Sequence, residues 1–232
     1  MKTIANLLIT AGLLGTASLS HADAIGIYAG AGVWQGEADN RVDVSALSAD
    51  DIKLGDDNST FAYVAFEHPI PLIPNVRLQH VNFDLASSGP VDIDIDMTHQ
   101  DAILYYEILD NWVNFDLGLS ARRYDGSATV SATGSSVKLN VDGVLPMIYA
   151  KAQFDLPFSG WSAGGDINAT DFSGDKITDA SVKIAYESDI IPLFGLGAEL
   201  GYRHMSMELD DLRYLDTDLT VTGPYAAITL HF

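Results

Sequence analysis

The chain has no cysteine, and that absence removes several chemistries at once. A disulfide-stapled scaffold, a cysteine zinc site, an iron–sulfur cluster and a thiol nucleophile are all excluded. Cations are scarce too: 12 Lys and Arg stand against 32 Asp and Glu in 232 residues, a formal charge of −20. Affinity for a phosphate backbone comes from clustered Lys and Arg, so no nucleic acid is expected as a partner. Long apolar runs are also missing beyond the N-terminus, where the longest, residues 190–198, has nine residues and contains Pro192. A membrane-spanning helix needs about 20 apolar residues, so none is expected there. What the chain does have is 47% hydrophobic and 9% aromatic residues. That is enough for an ordered core, unlike acidic disordered chains.

At the N-terminus, Lys2 precedes an uncharged apolar stretch, residues 4–14, followed by small residues and Ser20-His21-Ala22. This order of a basic, an apolar and a small-x-small region predicts a cleaved secretory signal over residues 1–22, leaving one mature unit, residues 23–232. Asn6, Thr10, Thr16 and Ser18 dilute the segment too much for an anchor. Removing it takes Lys2 away and leaves eleven basic against thirty-two acidic residues. An exported chain without a spanning helix is either soluble, for example a lipocalin-like barrel, or a closed β-barrel in an outer membrane.

The mature sequence alternates with period two. From Trp112 to Arg123, apolar residues Val113, Phe115, Leu117, Leu119 and Ala121 alternate with Asn114, Asp116, Gly118, Ser120 and Arg122. That is a strand with one apolar and one polar face. The same pattern marks residues 144–155, 179–187 and 195–207. Weaker versions mark residues 25–36, 59–68, 75–85, 93–108, 161–171 and 219–232. Together they predict an all-β fold, a closed antiparallel transmembrane β-barrel of about ten strands, within a range of eight to twelve.

The connections alternate in character. Residues 68–74, 109–111, 156–160 and 188–194 are short, with apolar edges and several prolines. Residues 37–58, 86–92, 124–142, 172–175 and 208–215 are polar and acidic, two of them long. Short periplasmic turns and longer acidic extracellular loops are the asymmetry of an outer-membrane barrel. Phe66, Tyr106, Trp112, Phe154, Phe158, Trp161, Tyr186 and Phe194 gather near the short-turn side, as an interfacial aromatic girdle would.

The last strand ends on Phe232, preceded on the same face by Leu230, Ile228 and Ala226. This resembles the C-terminal assembly signal of bacterial outer-membrane barrels, although Pro224 stands where many such proteins place an aromatic. With the signal segment and the alternating strands, the chain resembles the small gammaproteobacterial-type outer-membrane β-barrels of unassigned function. The resemblance implies the outer membrane of a Gram-negative bacterium, with outer-membrane lipid, lipopolysaccharide and the assembly machinery as partners.

If the apolar face meets lipid, parity places Arg77, Asp101, Glu107, Asp116, Arg122, Lys151, Lys183, Glu199 and Arg203 in the lumen, with Tyr149, Gln153 and Asp166. Desolvated charges must pair, so this set reads first as a network that fills the lumen of a structural or adaptor barrel. The alternative is a narrow channel for small polar solutes. Asp92, Asp94 and Asp96 share a strand face and could hold a loosely bound Ca²⁺ or Mg²⁺, although a solvated acidic surface is the simpler reading. No cofactor is otherwise expected.

A second alternative is enzymatic. His204 and Ser206 share one strand face, with Asp218 near in sequence, the residue types of a nucleophile, its base and an orienting carboxylate. The His-x-Ser spacing is similar to that of lipid A deacylases, and would imply a lipid A-modifying hydrolase. An Asn expected after the Ser is Met207 here. Gly26, Gly30 and Gly32 form no phosphate loop and read as close packing around Tyr28 and Trp34.

Overall fold

The computed structural model describes residues 25–44, 57–87, 91–132, 135–172, 175–191, 194–209 and 215–232. The expected signal, residues 1–22, and acidic residues 45–56 lie outside the described residues. The described segments are β1 (Gly26–Val44), β2 (Asp57–Glu67), β3 (Asn75–Asn82), β4 (Asp84–Ser87), β5 (Val91–Asp96) and β6 (His99–Leu109). They continue as β7 (Val113–Ala132), β8 (Ser135–Asp155), β9 (Trp161–Phe172), β10 (Asp175–Ile191), β11 (Phe194–Leu209) and β12 (Leu215–His231).

These twelve segments build ten staves. β3 and β4 are one stave broken at Phe83, and β5 and β6 are another broken at Met97 and Thr98. β3 pairs with β6 and β4 with β5, while the Met97 amide donates to the Phe83 carbonyl (2.8 Å) across the two breaks. Every neighbour is antiparallel, and the ring closes through β7–β8 and β1–β12. The seam between first and last strands runs from Tyr28 opposite His231 to Val44 opposite Leu215. At its lower end Ile27 and Phe232 exchange both backbone hydrogen bonds, at 3.0 and 2.9 Å. Closure gives the staves of the ring two neighbours each, which is the condition for a sheet in hydrocarbon, while β4 and the far end of β1 are laddered on one side.

The ten staves fall where the alternation predicts them, but several run further. Residues 124–142, expected as a long loop, are mostly the β7–β8 hairpin, laddered from Tyr124 opposite Gly143 to Ala132 opposite Ser135. β1 likewise continues past Gly36 to Val44. Ser127, Thr129, Ser131 and Ser136 are strand-compatible but not apolar, so the hydropathy period fades while the backbone ladder continues.

The outer wall carries a belt of exposed apolar side chains, among them Leu119 (68% exposed), Ile148 (65%), Val182 (63%), Leu200 (60%) and Ile228 (63%). A belt this continuous on a closed barrel is a surface fitted to hydrocarbon. Below it, at the short turns, Trp112 packs on Phe154, Trp161 on Tyr186 and Phe194 on Phe232, with centroids 5.1 to 5.9 Å apart. Phe66, Tyr106 and Phe158 are exposed at the same end, so the expected girdle is present. The turns are tight: Leu72 and Phe158 take positive φ (71° and 63°), as does Gly160 (70°). In β1, a Cβ on Gly30 would run into the Tyr63 ring, so glycine there admits that ring to the lumen.

Candidate functional site

The inner wall has three levels, counted from the short turns. The first is a cavity of about 560 Å³ open at the turns, whose wall includes Tyr63, Glu67, Arg77, Tyr105, Glu107, Asp116, Tyr149, Lys151, Lys183 and Glu199. Its mouth is framed by Asp110, Asn111, Phe158, Trp161 and Glu187, all from short turns or strand ends. Within it, Lys151 pairs with Asp116 (3.2 Å) and Lys183 with Glu199 (2.5 Å). The Tyr105 hydroxyl donates to Glu67 (2.6 Å), and Tyr105 and Tyr149 meet edge to face at 5.8 Å. Arg77 lies with its guanidinium 4.0 Å over the Tyr63 ring, and its Nη2 donates to Gln79 (2.9 Å).

The second level is a layer of full charges. Arg122, entirely buried on β7, donates from Nε and Nη2 to both oxygens of Asp101 on β6, at 2.8 Å each. Its Nη2 also reaches across the lumen to Asp179 on β10 (2.7 Å). Asp179 accepts a fork from Arg203 on β11 as well, at 2.8 and 2.7 Å. Two guanidinium groups and two carboxylates thus balance in charge. Forked bonds to both oxygens are the geometry in which buried ions recover most of their desolvation cost.

The third level is apolar. The Arg203 guanidinium sits 4.7 Å over the Trp34 ring, and Trp34 stacks on Phe83 at 5.4 Å. Beyond them Leu85, Ile93, Ile95, Met97, Tyr124, Met147, Ile177, Met205, Met207, Leu219 and Val221 form one buried cluster inside the barrel.

The structure places eight of the expected lumen residues on the inner wall: Arg77, Asp101, Asp116, Arg122, Lys151, Lys183, Glu199 and Arg203. The ninth, Glu107, is at the mouth, beside an irregularity in the β6–β7 register. The structure groups them into two separate sets, pairs in the cavity and a layer above it. Asp179, the hub of that layer, was missing from the expected set, although it shares the inner face with Ser181 and Lys183 on the same stave. The apolar third level was not anticipated either. There the inward parity is kept but the apolar and polar faces exchange: Ile93, Ile95 and Met97 point inward while Asp92 and Asp94 are exposed outside.

Asp96 accepts a hydrogen bond from the Thr98 amide (2.9 Å), and among the described residues no group of three acidic or histidine side chains gathers as a metal centre. His204 and Ser206 sit outside the barrel on β11, opposite Ala180 and Thr178 of β10, with no hydrogen bond between them. Asp218 is opposite Glu208 in the β11–β12 register, and its side chain lies outside the described residues. Ala226, Ile228 and Leu230 alternate along β12 and Phe232 follows its last residue, with Ile228 and Phe232 exposed outward.

No family model matches the chain, and no curated protein matches it in sequence. Among solved structures it is similar to the beta domain of the Bordetella autotransporter BrkA, at 12% identity and TM-score 0.48, covering 90% of this chain and 99% of that one. It is also similar to the outer membrane protease OmpT from Escherichia coli, at 12% identity and TM-score 0.42, covering 90% and 96%. A third is a Pseudomonas aeruginosa FadL homologue, at 9% identity and TM-score 0.39, covering 90% of each chain. These neighbours are bacterial outer-membrane β-barrels.

Proposed function

We propose that the chain is an integral outer-membrane barrel of a Gram-negative bacterium, with a structural or adaptor role and a lumen that does not conduct. The observation that carries this reading is the stacking of two filled levels in the lumen. The Arg122–Asp101–Asp179–Arg203 layer spans it from β6 to β10, and the Trp34 cluster fills it beyond. A solute entering at the short turns meets first paired charges and then packed apolar side chains, neither of which offers a hydrated path.

The apolar belt and the aromatic ring at the short turns support the membrane setting and put the short turns at an interface, the periplasmic one in this reading. Outer-membrane lipid and lipopolysaccharide are then the surrounding partners. The row Ala226, Ile228, Leu230 and Phe232 would be what the assembly machinery reads.

Two experiments test this. Purified protein reconstituted in planar bilayers should be electrically silent, and steady unitary currents would overturn the closed lumen. Cell fractionation should place the protein with outer-membrane markers, and recovery in the soluble fraction without detergent would overturn the membrane setting.

A further inference from the structure

The near end of the lumen has unmatched charges in a definite order. Four of the five lumen cations among the described residues are paired with carboxylates: Arg122, Arg203, Lys151 and Lys183. Arg77 is the exception. It donates to the Gln79 amide oxygen and lies over the Tyr63 ring but forms no ion pair, and its Nε is buried without a hydrogen-bond partner. It also lines the small recess that leads from the cavity toward Asp179 and Arg203, so it marks the cavity floor. At the other end, Glu67, Glu107 and Asp110 line the cavity, and no ion pair is formed by any of them among the described residues. Between floor and mouth stands Tyr149, 1% exposed, its ring edge to face with Tyr105. Asn114 Oδ1 lacks a hydrogen-bond partner on the same wall.

We propose that this cavity binds a small zwitterion of amino-acid to dipeptide size, its carboxylate on Arg77 and its ammonium among Glu67, Glu107 and Asp110. The volume, about 560 Å³, lies within the range of small-ligand pockets. Arginine presents a planar fork that matches a carboxylate, and an unfilled donor on a buried guanidinium is an incomplete hydrogen-bond set. A ligand entering from the turns meets the acidic mouth last with its trailing end, so the ammonium trails and the carboxylate leads. An anion alone would leave the mouth unmatched, and a cation alone would leave Arg77 so. The aromatic walls Tyr63, Tyr105 and Tyr149 offer apolar surface for what lies between the two charges. The floor is closed by the buried charge layer, so the site is a blind pocket and binding does not require passage.

The test uses the full chain in detergent micelles and isothermal titration with L-alanyl-L-alanine, its N-acetyl form and its C-terminal amide. The dipeptide should bind saturably, and each blocked form should bind about tenfold more weakly or worse, the loss of one charged hydrogen bond. Arg77→Gln should abolish the preference for the free dipeptide over the amide while keeping that over the N-acetyl form. Glu107→Gln, at the exposed mouth, should weaken the preference over the N-acetyl form instead, and remains informative if Arg77→Gln does not give heat-modifiable barrel. Absence of saturable heat with all three, or equal affinity for all three, overturns the proposal. An amide that binds as tightly as the dipeptide makes this a simple cation site and overturns it too.

Discussion

The two ends of the lumen share a wall and differ in everything that faces inward. Toward the short turns the outer wall is apolar and the inner wall polar: Val182 and Leu200 outside, Lys183 and Glu199 inside. Beyond the charge layer this inverts. Met205, Met207 and Ile177 are buried within, while His204, Lys176 and Glu208 are exposed without. The near half is thus built like a membrane barrel and the far half like a water-soluble one, with its own hydrophobic core. The stave pairing does not register the change, since β10 and β11 stay in unbroken register from Lys176 opposite Glu208 to Asp189 opposite Gly195. What changes is the solvent on the outside, and the side chains follow it. Arg203 above Trp34 is where the two arrangements meet.

That comparison can be broken at its boundary first. Asp179→Ala leaves Arg122 and Arg203 short of a shared partner in a buried site, and should cost about 4 kcal/mol of stability, as breaking a buried pair does. Urea unfolding of the barrel in micelles measures it, and a loss below about 1 kcal/mol would mean the layer is hydrated. Within the far half, Met205→Ala removes a fully buried side chain and should cost about 3 kcal/mol. At the seam, deleting Phe232 removes two backbone hydrogen bonds and the ring on Phe194, a loss of about 2 kcal/mol. It should also lower the amount of heat-modifiable protein in cells. The smallest effect belongs to the outside of the far half: Lys176→Ala breaks a pair at 3.5 Å in which both side chains are more than half exposed, worth under about 0.5 kcal/mol and less still in high salt.

The sequence made the near half legible and concealed the far one. Leu117, Leu119, Ile184 and Leu200 alternate with Asp116, Lys183 and Glu199, and one assumption about the solvent fixed their directions. The same alternation in residues 93–97 and 205–207 reads identically, since period two says which residues share a face and not which face looks inward. Parity set by Leu200 outside carries Met205 inside with Glu199 and Arg203, but by then the inward face has turned from polar to apolar. Asp179 shows the other limit. It lies on the expected inner face, but only the folded ring brings β7 within reach of β10, and nothing in the chain places Arg122 beside it. Glu107 was legible by parity, but the bulge that leaves it at the mouth was not.

The seam has a consequence in time as well as in space. Ile27 and Phe232 sit at nearly opposite ends of the described chain, yet exchange both backbone hydrogen bonds. The hairpins β7–β8 and β10–β11 can form from neighbouring sequence, whereas β1 has to wait for a partner made last. Such long-range pairings slow folding, because chain entropy is lost before the contact repays it. Until then β1 and β12 are open edges, each able to pair with a strand of another chain. The protein therefore needs its unclosed sheet sheltered until the ring forms, and closure is the step that ends its exposure to aggregation.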